Sequence, residues 1–468
     1  MISTIKVDFN QKTGKKVMPL HGFNSGPMTK VFTYDARPLF VEGGFPYVRL
    51  HDSEYPFGSG EFIDIPCIFK NFDADENDPA SYNFANTDEY IRQCLNVGSK
   101  IIYRLGISIE HTAVKRYVYP PKDFAKWARI CEHVIRHYNE GWADGYHWDI
   151  KYWEIWNEAD LDRDLVDKER RARCWSGTCE QFGEFYTIAA RHLKSCFPDL
   201  KIGGCGFTGP ENEFIIEFFE YITKQDPKPP MDFYSWHCYN FTPAKYIQKA
   251  KIARDIVTRY GYGDAESILD EWNLVYGWDA ETQPENYRAM KDHRGAAFYA
   301  GTLCALQESS DVVFATNFEA DVVKEYCGVF NVKNMRVGGL TGGACKKFAE
   351  LEPTKGFYAF KSYNYLYRLG EQVKLESDNA EIFATAAVGD GGVGLVAANR
   401  TDEEIKVTFD LTGITGAIVV RITDKEHTNA VMNEIEAGDS LRLTLTLPAN
   451  SFVYVGTDLP DPVSEYTY

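Results

Sequence analysis

The 468-residue chain has no apolar run approaching the roughly 18 residues that a membrane-spanning helix needs. Its first nine residues, Met1 to Phe9, alternate polar and apolar types and lack the continuous apolar stretch of a secretory signal. Basic residues are too few to offset the acidic ones: 50 Lys and Arg face 68 Asp and Glu, for a net charge of −18. Long-range repulsion of that sign argues against nucleic acid or an anionic membrane as partner and favours a neutral substrate. The 11 cysteines are odd in number and nowhere spaced as CxxC, which points to reduced thiols and not to a disulfide framework or zinc knuckle. Cytoplasmic residence is the resulting expectation, with secretion the alternative if a leader has been removed. Cys174 and Cys179, five residues apart, leave one bridge open. The two glycosylation sequons, at Asn240 and Asn399, carry weight only in a eukaryotic secretory setting.

Clustered His and Asp ligands at strand ends are missing too. The first strand offers only His21, with Asn24 beyond it, so neither metal nor cofactor is expected. Gly389-Asp-Gly-Gly-Val-Gly394 spells a dinucleotide motif, but a strand pattern follows where a phosphate-binding helix must start, and a hairpin turn is expected there.

What the chain does have is aromatic surface and alternating apolar segments. Aromatics make up 15% of residues, enough to serve sugar-ring faces as well as core packing. From residue 17 to 370, strand-like runs at 18–22, 47–50, 100–105, 152–156, 200–204, 232–237, 267–271 and 312–317 alternate with helical patterns. Eight such units predict an α/β fold, a (β/α)8 barrel spanning 16–372, with its active site at the C-terminal strand ends. The spacing of Phe124, Trp127, Cys131, Val134, Ile135 and Tyr138 predicts a helix over 121–138, started by Pro121 and stopped by Gly141. Short alternating strands at 382–388, 393–398, 405–411, 417–422, 441–447 and 452–455 predict an antiparallel β-sandwich over 373–468. Ile5, Val7 and Phe9 alternate as well, and residues 1–15 are expected to add a strand to it.

Two strand ends carry the chemistry. Tyr152-Trp-Glu-Ile-Trp-Asn-Glu-Ala159 delivers Glu158, and Ser267-Ile-Leu-Asp-Glu-Trp-Asn273 delivers Glu271, 113 residues later. Either glutamate alone is as readily an ion-pair residue. Two of them, each beside an Asn and a Trp, match the need of glycosidic bond cleavage for one group to protonate the leaving oxygen and another to handle the anomeric carbon.

These motifs resemble the acid/base and nucleophile strands of clan A glycoside hydrolases. Within that clan the chain most resembles family 39, the β-xylosidase and α-L-iduronidase group. Tyr47-Val-Arg-Leu-His51, Leu200-Lys-Ile-Gly-Gly204 and Asp232-Phe-Tyr-Ser-Trp-His-Cys-Tyr239 extend the likeness over most of the chain. The resemblance implies a retaining, exo-acting, β-xylosidase-like hydrolase of a glycoside or oligosaccharide, with Glu158 as acid/base and Glu271 as nucleophile. Arg49 and Tyr239 are expected to keep Glu271 ionised, unless they serve only as a buried ion pair and mouth packing. Asn157 would donate to the sugar 2-hydroxyl. His51 and His237 are either substrate contacts or wall residues, and Glu154 is expected to be structural. Trp175, Trp236, Trp272, Trp278 and Phe318 are sugar platforms or core.

The sequence departs from the family in two places. Ala159 stands where proline usually follows the acid/base, and strand 8 ends on Asn317-Phe318 where a tryptophan is common, so the floor of the sugar site is open. The strand 7 wording also resembles family 51 arabinofuranosidases, and a non-catalytic carbohydrate-binding protein is the alternative of another class. Insertions at 57–86 and 161–179 favour a walled pocket, and self-assembly is left open by the acidic surface.

Overall fold

In the computed structural model, residues 2–27, 35–51, 62–318, 328–337 and 347–462 are described. The alternating N-terminal segment forms β1 (Ile2–Lys16), burying Ile5, Val7 and Phe9. Eight parallel strands then close a barrel: β2 (Gly22–Phe23), β3 (Tyr47–Leu50), β4 (Lys100–Leu105), β5 (Tyr152–Ile155), β6 (Lys201–Phe207), β7 (Phe233–Asn240), β8 (Glu266–Leu274) and β9 (Val312–Asn317). The first of these is shorter and later than the sequence suggests. Val17 N bonds Gly370 O and Leu20 N bonds Met18 O, so the chain enters the barrel through a turn and pairs only at Gly22 and Phe23. Gly22 permits that pairing, because a Cβ there would lie 2.7 Å from Tyr47 O.

The helix predicted over 121–138 runs Phe124–Asn139. Asp123 caps it by accepting from Lys126 N, which takes the starting role expected of Pro121. Gly141 lies just past its end at φ +77°.

Inside the barrel the side chains fall into layers, as alternation along parallel strands requires. The lowest is apolar, with Ile102, Phe233, Ile268 and Phe314 packed beside Tyr47 and Tyr152. Two residues further along the strands the layer turns polar and brings in Arg49, Glu154, Ser235 and Asp270. This charged layer supports the residues at the strand ends.

After the barrel come an antiparallel pair, β10 (Phe330–Val337) and β11 (Lys347–Pro353), and the helix Lys355–Leu369. The strands β12 (Glu371–Ser377), β13 (Ile382–Gly389), β14 (Gly392–Asn399), β15 (Ile405–Thr412), β16 (Gly416–Thr423), β17 (Ala430–Ala437), β18 (Ser440–Leu447) and β19 (Ser451–Gly456) join β1 in one nine-stranded sheet. It is mostly antiparallel, with β1 antiparallel to β12 and parallel to β15. Strands from both ends of the order share one apolar core, so the sheet folds over on itself and its two layers are continuous through β1. Gly389 pairs with Gly392 across the β13–β14 turn, which makes the glycine-rich motif a hairpin. No helix among the described residues is long and apolar enough to cross a membrane.

Candidate active site

Glu271 owes its position to a defect in the sheet. Strand β8 pairs Leu269 with Trp236 and Glu271 with His237 of β7, which leaves Asp270 as the extra residue of a β-bulge. Unbroken alternation would turn one of two consecutive residues outward. Here Asp270 and Glu271 both face Arg49, whose Nε lies 3.0 Å from Asp270 Oδ2 and whose Nη1 lies 3.2 Å from Glu271 Oε2. Trp272 turns to the helical side and packs among Tyr246, Phe298, Tyr299 and Phe360.

Glu158 is placed by a strained turn. Trp156 and Glu158 hold φ of +75° and +47°, and Glu158 N donates to Gly206 O at 2.8 Å. Asp160 anchors the chain just beyond Glu158, accepting from Thr208 N at 3.0 Å, Thr208 Oγ1 at 2.5 Å and Asn212 Nδ2 at 2.6 Å. These bonds hold a turn in which Ala159 supplies no proline rigidity.

The two strand ends converge. Glu158, Glu271 and His237 each offer an atom within 4.8 Å of the others. His237 Nδ1 is 2.9 Å from Glu158 Oε1 and 3.6 Å from Glu271 Oε2. Tyr239 donates its hydroxyl to Glu271 Oε1, and His51 Nε2 lies 3.6 Å from Glu271 Oε2. Arg49 donates to Asn157 Oδ1 at 2.8 Å and to Asn24 Oδ1 at 3.0 Å. Retaining glycosidases hold their carboxyl groups about 5 to 5.5 Å apart.

Arg49 and Tyr239 act on Glu271 in the expected direction, but burial outweighs them. Burial pushes its carboxyl up to about 7; His237 and Arg49 oppose this, as does the hydrogen bond from Tyr239, while the charge of Glu158 adds to it. His237 is depressed, chiefly by burial, and is neutral at neutral pH.

Residues 35–314, more than half the chain, match the family model for glycosyl hydrolases family 39. The chain belongs to that family. The β-xylosidase of Geobacillus stearothermophilus is 22% identical over 422 residues, covering 83% of this chain and 75% of the relative. A β-xylosidase of Caldicellulosiruptor saccharolyticus is 27% identical over 208 residues, 42% of this chain and 37% of its own length. Among solved structures, a glucosidase from Croceicoccus marinus superposes with a TM-score of 0.75 at 20% identity, covering 98% of this chain and 99% of the other. A monomeric β-xylosidase from Caulobacter crescentus CB15 gives 0.65 at 14%, covering 97% and 99%. The protein is thus a family 39 glycosidase, and these structures share its fold.

In this family 39 barrel the aromatic residues divide. Trp175 packs against Trp156 and Phe182, Trp236 donates to Ser267 Oγ, and Trp272 lies among the helices, so these three are core. Trp278 is 60% exposed with its ring 5.1 Å from that of Tyr239, and the ring of Phe318 lies 6.2 Å from those of both Tyr239 and His51. Asn317 is buried beside Phe318, with neither side-chain polar atom hydrogen-bonded among the described residues.

Cys174 and Cys179 are not bridged to each other. Part of the 57–86 insertion, 57–61, lies outside the described residues, whereas 161–179 is tied to the neighbouring loop by Glu110 N to Arg173 O and Ser176 N to Val118 O, each 2.8 Å. A second group with metal-ligand spacing, Glu132, His192 and Cys196, sits on two outer helices, where Arg136 takes the other oxygen of Glu132.

Sequence reasoning gave no role in this site to four of its residues: Asn24, Asp160, Ser235 and Asp270. Asp160 and Asp270 each lie within two residues of a catalytic candidate, a proximity that could have marked them. Asn24 and Ser235 carry no such signal.

Proposed function

We propose that this family 39 enzyme is an exo-acting, β-xylosidase-like retaining hydrolase in which Glu158 is the general acid/base and Glu271 the nucleophile. The approach of the two carboxyl groups within 4.8 Å carries the reading. Glu158 gives its proton to the leaving oxygen while Glu271 attacks the anomeric carbon, forming a covalent glycosyl-enzyme. Glu158, now a carboxylate beside neutral His237, then takes a proton from water, which attacks the same carbon and releases the sugar with its configuration retained. Arg49 and Tyr239 place donors on Glu271 and steady it as the leaving carboxylate of that second step.

Asn157 fits the 2-hydroxyl role. Its Oδ1 is taken by Arg49, while its buried Nδ2 has no hydrogen-bond partner among the described residues and is free to donate. Trp278 and Phe318, beside Tyr239, are the proposed sugar-facing rings. The tied loop 161–179 supports a walled pocket and exo action.

Two β-xylosidase relatives support a xyloside as substrate, and the glucosidase fold relative makes a glucoside the competing reading. A panel of nitrophenyl β-xyloside, β-glucoside and α-L-arabinofuranoside decides between them, with the highest kcat/KM expected for the xyloside. A higher value for either other sugar reassigns the substrate, and inertness toward all three favours a binding role. The odd count of 11 cysteines without CxxC spacing supports cytoplasmic residence. The division into 16–372 and 1–15 with 373–468 is proposed on the separation of the closed barrel from the nine-stranded sheet.

A further inference from the structure

We propose that Asp270, the bulge residue before Glu271, carries a proton at working pH and acts as a positioning residue, so that Arg49 shares its charge between two carboxylates and not three. The protonation stands on its own; its consequence for catalysis rests on the nucleophile role of Glu271.

Arg49 is wholly buried and faces Glu154 at 2.7 Å, Asp270 at 3.0 Å and Glu271 at 3.2 Å. With all three carboxyls ionised, this buried group would hold one positive and three negative charges, an arrangement whose desolvation cost a single cation does not offset. One proton retained in the cluster relieves it, and the hydrogen bonds indicate where the proton sits. Glu154 accepts from Arg49 Nε at 2.8 Å and from Ser235 Oγ at 2.5 Å, the environment of a carboxylate. Asp270 is equally buried, yet neither of its oxygens accepts a hydrogen bond from an N–H or hydroxyl donor among the described residues. Its carboxyl and that of Glu154 crowd onto the same N–H, Arg49 Nε lying 3.0 Å from Asp270 Oδ2 and 2.8 Å from Glu154 Oε2. Two carboxylates sharing one buried N–H repel each other, and a proton held by the less well bonded one relieves it.

The other titratable neighbours do not supply the missing donor. His237 Nε2 stands 3.6 Å from Asp270 Oδ1, beyond hydrogen-bond reach, and the ring is neutral. Cys205 and Tyr234, which also feel Asp270, are kept protonated by burial. Burial first, then the charge of Glu154, pushes Asp270 well above the usual carboxylate range. For Glu154, burial acts in the same direction but Arg49 and the hydrogen bonds that Glu154 accepts from Arg49 and Ser235 overcome it, leaving it lowered.

The backbone of Asp270 is held independently of its side chain. Asn24 Nδ2 donates to its carbonyl oxygen at 2.7 Å and Thr316 Oγ1 at 2.5 Å. The bulge is therefore pinned by β2 and β9, and the carboxyl is left to set the charge around Arg49.

Infrared difference spectroscopy on the full chain, wild type minus D270N with carbon-13 aspartate labelling, reads the proton directly and needs no substrate. A labelled protonated-carboxyl stretch at about pH 7 that D270N lacks is the expected result. Its absence from the folded wild type overturns the proposal. The kinetic arm separates positioning from mere packing: D270N, a neutral hydrogen-bond donor of the same shape, should lose less than about tenfold in kcat/KM and keep the acid limb of the pH profile, whereas D270A should lose more than about tenfold. Equal losses in correctly folded D270N and D270A overturn the positioning role. A wild type that shows the band but hydrolyses no glycoside contradicts the proposed function while leaving the proton on Asp270 in place.

Discussion

Asp270 and Glu271 are neighbours in the chain and both meet the guanidinium of Arg49, at 3.0 and 3.2 Å. One bulge in β8 makes this possible, and it puts the nucleophile candidate on the mouth side of a buried charge cluster. The proposed catalytic pair therefore rests on a buried charged layer of the barrel.

The pH profile should carry the mark of Glu271. Its carboxyl is pushed up to about 7, chiefly by burial, and attack requires the ionised form. The value of kcat/KM should fall as pH drops below about 7, the free enzyme showing an acid limb there. A profile flat down to the ordinary range of a glutamate, about 4.3, would contradict that environment.

The same shift has a stability consequence. Because the folded state binds the Glu271 proton more tightly than the unfolded chain, stability from that proton is complete below about 4.5 and lost as pH rises through about 7. Glu271→Gln stays neutral throughout, so it should be more stable than wild type above about pH 7, by up to about 3 kcal/mol, and show little of that gain near pH 4. Denaturant melts at the two pH values check this, and an equal difference at both would remove the linkage.

Tyr239→Phe removes a hydroxyl that donates to Glu271 and helps keep it ionised. The acid limb should move to higher pH. A hydrogen bond to a charged group is worth about 1.5 to 3 kcal/mol, so kcat/KM at neutral pH should drop roughly ten- to a hundredfold. A lower rate with an unmoved limb would assign Tyr239 to packing alone.

For Glu158→Ala the size of the loss should depend on the leaving group. Substrates with poor leaving groups need the proton and should suffer most, while activated aryl glycosides should be hydrolysed with a smaller deficit in the glycosylation step. Rates measured across a series of leaving-group pKa values make the comparison, and a uniform deficit would count against the acid role.

Much of this architecture could be read before folding. The barrel was legible because apolar runs recur between amphipathic helices, and Glu158 and Glu271 because polar residues close those runs. The bulge at Asp270 was not, since one extra residue in a register leaves no local pattern. Strands β12 and β17 were missed for another reason: Glu371–Ser377 is largely polar, and Ala430–Ala437 opens on the consecutive residues Val431 and Met432, both exposed, so little apolar alternation marks either strand. Among the tryptophans, composition could not separate core from mouth. Trp272 adjoins the nucleophile in sequence but packs among the helices, whereas Trp278, six residues on, stands exposed beside Tyr239.

The central claim, that Glu271 becomes covalently bonded to the sugar, is most directly tested by trapping. The full-length enzyme incubated with an activated 2-deoxy-2-fluoro-xyloside, or the corresponding sugar found best in the panel, should gain the mass of one fluoroglycosyl group. Peptide mapping should then place the adduct on Glu271. An adduct on another carboxylate, or steady hydrolysis of the parent glycoside with inverted anomeric configuration and no adduct, would contradict the account.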